Sequence, residues 1–232
     1  MALILPTPKN DRRNAIQIPP NTLAFPSAML SCCYCHGEIT EKSPHCPSCK
    51  LTLDGLTKAL GPVPLLKVGI TDSTAVLSKK DHKQISKIIR EFEANFHDTQ
   101  LNILFYDFVE NFNLSSQLFW LFNVAGLASE EQTQGRNRDI LIGIDPRKGR
   151  AGITIGYGLE ILLNKTDLEQ LLEEVKSLLE EGSYVKAIKQ LSNSLLQKLK
   201  TQATEFQQAF GLESLSTTKG STKETNDESG VH

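Results

Sequence analysis

Two Cys-x-x-Cys pairs, Cys32/Cys35 and Cys46/Cys49, stand ten residues apart near the start of this 232-residue chain, and no other feature restricts its fold as much. Two thiolates two residues apart lie on one side of a tight turn, at the reach a single tetrahedral ion needs. The double pair therefore predicts a small zinc ribbon. Gly37 and Pro47 fall where each knuckle has to reverse the chain. Disulfides fit poorly, because cysteines this close seldom bond to one another and a fifth, Cys33, would be left over. Cys33 competes with Cys32 for the first ligand position, and His36 and His45 are near enough to substitute. Four thiolates complete the tetrahedron without either histidine.

A ribbon of this size has almost no apolar core, so its metal must supply folding free energy on the order of 10 kcal/mol. With four protein ligands the ion has no open position, which makes it structural and not catalytic. Thiolate ligation implies a reducing compartment. The opening residues agree, since Pro6 and Pro8 interrupt any apolar run and the basic residues follow it instead of preceding it. No stretch reaches the roughly 18 to 20 apolar residues that span a bilayer. A cytoplasmic location without a membrane span is expected.

Composition divides the rest. Residues 1–31 are Pro- and Asn-rich without periodicity and read as a disordered arm, followed by the ribbon at 32–50. Residues 51–64 end in Gly61-Pro62-Val63-Pro64 and read as a linker. An α/β domain with a long C-terminal helix is expected over 65–212, and a Ser/Thr/Lys/Glu-rich disordered tail over 213–232.

Within 65–212, strand and helix signals alternate, which argues for layered α/β architecture. "LLKVGIT" reads as a first strand. Ile85, Ile88, Ile89, Phe92 and Phe96 then form one stripe of an amphipathic helix that Ser78 opens with Asp81 in a capping box. "LNILFYDFV" and the almost wholly apolar "DILIGID" read as buried strands, with Trp120 packing on the helix between them. "DPRKG" makes a hairpin to "RAGITIGYG". Two helices finish the domain, the first carrying a stripe from Leu168 to Leu179 and stopping at Gly182.

The order of these pieces resembles the TPM-domain family. "ITDSTAVLSKKD" looks like that domain's opening, "GRNRDILIGID" its third strand with the preceding polar loop, and "ITIGYGLEILLN" its Gly-Tyr-Gly-Leu-Glu signature; "EEGSYVKAIKQLSNSLL" is similar to its end. The resemblance spans about residues 65 to 200 and implies a three-layer α/β/α sandwich. It also implies an association with acid-phosphatase activity and, in some members, divalent-cation binding. The chain departs from the pattern where a zinc ribbon replaces the family's usual export signal, and where Asn164 takes a position that is usually acidic.

Gly156 and Gly158 around Tyr157 allow positive φ at a strand end, Leu159 would point inward, and Glu160 would stand at the end of the sheet. If loops bring Asp72, Asp139 and Asp145 beside Glu160, the cluster suits Ca2+ or Mg2+; the competing assignment makes them turn formers and caps. Three functions follow. The expected one is a non-catalytic binding or adaptor module that meets a protein partner through the ribbon or the C-terminal helix. The alternative is a metal-dependent acid-phosphatase-like hydrolase at Asp72, Asp145 and Glu160, for which neither a phosphate-cradling Gly-Lys loop nor a Cys-Arg nucleophile is evident. The third is a nucleic-acid-binding ribbon, opposed by the net charge of −2 and by basic residues that read as mixed with Glu along the helices and not as concentrated in a stripe.

Overall fold

A computed structural model describes residues 30–39, 43–97, 99–125, 127 and 138–209. The expected arm, 1–31, lies outside the described residues except for Leu30 and Ser31, which form a strand, and the expected tail, 213–232, lies outside them entirely. Strands β1 (Leu30–Ser31) and β2 (Glu38–Ile39) form a two-stranded antiparallel ribbon. Four more strands, β3 (Ile70–Asp72), β4 (Leu101–Phe105), β5 (Ile140–Asp145) and β6 (Arg150–Ile155), make one sheet in that order. The first three run parallel and β6 returns antiparallel through the expected hairpin, with Asp145 opposite Arg150 and Gly149 at φ +59° in the turn.

Side chains alternate across this sheet, as strand geometry demands. Leu101, Ile103 and Phe105 of β4 and Ile140, Ile142 and Ile144 of β5 face one core. That core is closed by helices α2 (Lys79–Asn95), α4 (Lys165–Glu173), α5 (Lys176–Glu180) and α6 (Tyr184–Ala209). Leu104 and Leu141 face a second core under α1 (Leu53–Leu60) and α3 (Leu114–Val124). The result is the three-layer α/β/α sandwich, with the ribbon attached to its α1/α3 side.

Local chemistry fixes the helix ends. Ser78 and Asp81 make the expected box, Asp81 N–H donating to Ser78 Oγ at 3.2 Å and Ser78 N–H to Asp81 Oδ2 at 3.0 Å. Asn164 and Asp167 form a second box ahead of α4, so Asn164 serves here as a helix cap. Gly182, at φ +70°, ends the α4/α5 segment, which breaks at Val175 and is not one continuous helix.

Two further expectations change. The first strand begins at Ile70, because Thr71 Oγ1 accepts the Lys67 N–H at 2.7 Å and turns the backbone before the sheet; Leu65 is left 83% exposed. The segment read as a linker contains α1, which is packed: Leu56 is 1% exposed and the Trp120 indole N–H donates to Thr57 Oγ1 at 2.9 Å. Thr52 caps its start by accepting the Gly55 N–H, and Gly61 closes its end at φ +90°.

Candidate metal centre

Each Cys-x-x-Cys pair folds in the same way. His36 N–H donates to Cys32 O at 2.9 Å, and Lys50 N–H to Cys46 O at 2.9 Å; the chain then returns through Cys32 N–H to Gly37 O and Cys46 N–H to Leu51 O. The residue after each second cysteine is left-handed, His36 at φ +59° and Lys50 at φ +62°. Gly37 itself is not left-handed. Its role is close approach, since a Cβ there would lie 2.6 Å from Ser48 Oγ of the facing knuckle.

These turns bring the Cys32, Cys35, Cys46 and Cys49 sulfurs all within 4.8 Å of one another. Cys32 and Cys49 Sγ are 3.7 Å apart, and Cys35 and Cys46 Sγ 3.6 Å. A bonded disulfide would be near 2 Å, whereas sulfurs about 2.3 Å from a tetrahedral zinc stand about 3.8 Å apart. The donor set fits zinc in number, type and spacing. Backbone donors complete the fit: Tyr34 N–H points to Cys32 Sγ and Gly37 N–H to Cys35 Sγ, both at 3.4 Å. The Cys49 and Ser48 amides hold the Cys46 thiol down at about 6 against the opposing effect of burial. Burial drives Cys49 the other way, up to about 12; the downward direction at Cys46 is the one that the converging N–H dipoles support.

Cys32, not Cys33, belongs to this group, and both His36 and His45 stand outside it. Cys33 faces the larger domain. Its carbonyl accepts the Ser116 hydroxyl of α3 at 3.3 Å, and burial pushes its thiol up to about 11 although Ser116 works in the opposite direction. Next to it, the Tyr34 ring lies 6.2 Å from that of Phe112. The ribbon is thus seated on the N-terminal end of α3.

The four carboxylates do not assemble. Because β6 is antiparallel to β5, Gly156 lies opposite Asp139, its N–H donating to Asp139 O at 2.7 Å, and Glu160 follows on the same side. Asp72 and Asp145 end β3 and β5 at the opposite end of the sheet, about 20 Å along the strand from Asp139 at strand rise. A corner of Asp72, Asp145 and Glu160 is contradicted by strand direction. Asp72 and Asp145 share an end, but β4 lies between them at a backbone separation of about 10 Å.

Both are already engaged. Asp72 accepts the Thr74 hydroxyl at 2.8 Å and the amides of Leu77, Thr74 and Val76. Burial raises its carboxyl, but these donors prevail and hold it below the usual range. Asp145, 2% exposed, accepts Arg150 Nε at 3.0 Å. Arg147 and Lys148 are likewise paired, with Asp107 and Glu110, and Arg136 lies outside the described residues. Asp139 is buried beside its strand. Glu160 is exposed at the exit of a 3-10 turn (Tyr157–Leu159), with its carboxyl held above the ordinary range by partial desolvation. Neither Gly156 nor Gly158 adopts positive φ, while Leu159 is fully buried, as expected. Among the described residues, the four cysteines are the only group of three or more His, Cys, Asp or Glu side chains close enough to hold an ion.

No curated protein matches the chain. It is similar to the solution NMR structure of the N-terminal domain of a protein from P. gingivalis, at 16% identity and a TM-score of 0.48, covering 66% of this chain and 90% of that one. It is also similar to the N-terminal domain of the cg2496 protein from Corynebacterium glutamicum, at 15% identity and a TM-score of 0.39, covering 71% and 90%. Residues 70–198, more than half of the sequence, match the TPM domain, and the chain belongs to the TPM-domain family.

Proposed function

We propose that this chain is a zinc-stabilised, non-catalytic binding module that works in a reducing compartment, the cytoplasm. The observation that carries the reading is the closed set of four sulfurs docked on α3 through Cys33 and Tyr34. Such an ion has no position for substrate, so its work is to fix the ribbon's shape and seat. No helix among the described residues is long and apolar enough to cross a membrane. The carboxylates that a hydrolase would need stand at opposite ends of the sheet, with Asp72 and Asp145 occupied in holding backbone and Arg150.

Two measurements test this. Elemental analysis of freshly purified protein should find zinc; none, or oxidised cysteine pairs by mass spectrometry, removes the basis of the reading. Incubation with an aryl phosphate and Mg2+, Mn2+ or Ca2+ should give no turnover. Turnover that vanishes in Glu160→Ala would replace the binding module with a phosphatase.

A further inference from the structure

The sheet's other helical layer carries its charge unevenly. Helix α6 has four lysines against one glutamate, and α2 has five basic residues against three acidic ones, whereas α4 is acidic and α5 neutral. On α2 the core residues Ile85, Ile88, Ile89 and Phe92 take one side of the cylinder, so Lys79, Lys83, Lys87 and Arg90 share the opposite one. On α6 the same reasoning turns Lys186 and Lys189 outward, and both are exposed. Separated by about a hundred residues in sequence, the two basic stretches form one surface once α2 and α6 pack side by side. Lys186 and Lys189 have no carboxylate partner among the described residues.

Between the two helices runs a groove of about 240 Å³. Ile88, Phe92 and Leu196 give it an apolar floor, and Lys189, Asn95 and Asn193 line its polar walls. Glu91, the acid on this rim, is turned to Lys87 at 3.5 Å. In the groove wall the Ser192 hydroxyl is buried, at 3% residue exposure, and has no hydrogen-bond partner. A buried hydroxyl without a partner is costly, and a ligand reaching it would remove that cost.

We infer that the α2–α6 face is a docking surface for an acidic protein segment that places an apolar side chain in this groove and its carboxylates against Lys186 and Lys189. The inference rests on the binding-module reading and names the partner's chemistry. Charge complementarity selects an anion, and the apolar floor asks for more than charge. The one aromatic side chain in the groove, Phe92, is 2% exposed and offers no open face for base stacking, which favours carboxylates over a nucleic acid. The face lies on the opposite side of the sheet from the ribbon, so both can be occupied together.

The test is fluorescence anisotropy of the full chain with a labelled peptide of repeating Glu-Glu-Leu. Saturable binding is expected, weakened by about tenfold or more in Lys186→Glu/Lys189→Glu and clearly weaker for a Glu-Glu-Ser peptide. Both lysines are exposed, so the variant should keep the wild-type circular dichroism spectrum. Absence of saturable binding, equal binding by the variant, or equal binding of the two peptides overturns the proposal. So does tighter, variant-sensitive binding of polyuridine RNA or of phosphatidylcholine vesicles with about one third phosphatidylserine, which would reassign the face to nucleic acid or membrane. Aryl phosphate turnover sinks the reading beneath it; failed peptide binding without turnover sinks the docking surface alone.

Discussion

Gly143 of β5 and Gly152 of β6 stand directly opposite one another, and Leu118 of α3 occupies the space that two side chains would take. A Cβ on Gly152 would lie 2.6 Å from Leu118 Cδ1, and one on Gly143 would meet Leu118 Cδ2 more closely still. This hollow sets how near α3 comes to the sheet, and α3 in turn carries the ribbon. Gly143→Ala is therefore expected to destabilise the protein by about 1 to 3 kcal/mol through overpacking. Adding Leu118→Ala should cost less than the sum of the two single changes, because the second removes the methyl groups that the first collides with. Denaturant unfolding of the wild type and the three variants measures the coupling; strict additivity would mean that the two sites do not touch.

The metal centre separates two cysteines that are adjacent in sequence. Cys46→Ser should lose the bound zinc, whereas Cys33→Ser should keep about one ion per chain, since the Cys33 sulfur is not among the four. Zinc content by elemental analysis distinguishes them. Equal loss in both variants would mean that Cys33 is a ligand.

Asp72 organises the loop between β3 and α2. Asp72→Ala, which leaves the Leu77 and Thr74 amides without their acceptor, should cost about 1 to 3 kcal/mol. The folded carboxyl is held below its ordinary value near 3.8, so its contribution is complete above that value and is lost as pH falls through the lower folded value. Wild type and Asp72→Ala should thus differ in stability at neutral pH and converge on acidification. A gap that stayed constant with pH would show that the charge plays no part.

The lone tryptophan reports on α1. Thr57→Val removes the acceptor for the Trp120 indole N–H, and a loss of about 1 kcal/mol is expected. The emission maximum should move as the indole loses its partner. An unchanged spectrum would place α1 away from Trp120 in solution.

Much of this was readable in advance because it depends on short-range chemistry. The knuckles, the Ser78/Asp81 box, the hairpin from Asp145 to Arg150 and the inward Leu159 each follow from residues a few positions apart. Helix α1 had its own signals, Thr52 at the start and Gly61-Pro62 at the end, which the Pro-rich run beyond them obscured. The divided carboxylates were harder. Which end of the sheet holds Glu160 depends on β6 running back along β5, and proximity in sequence to a strand end does not say which end. The glycine pair under Leu118 is likewise a product of packing between distant segments, and the basic excess of α2 and of α6, readable in each helix, becomes one face only when the two pack together.

The seat of the ribbon has a consequence for how this domain can be used. Cys33 and Tyr34 rest on α3, and α1 covers Trp120, so the amino-terminal module already occupies one of the sandwich's two outer sides. In this chain an intramolecular guest takes that side, while the layer of α2 and α6, across the sheet, is left clear of the ribbon.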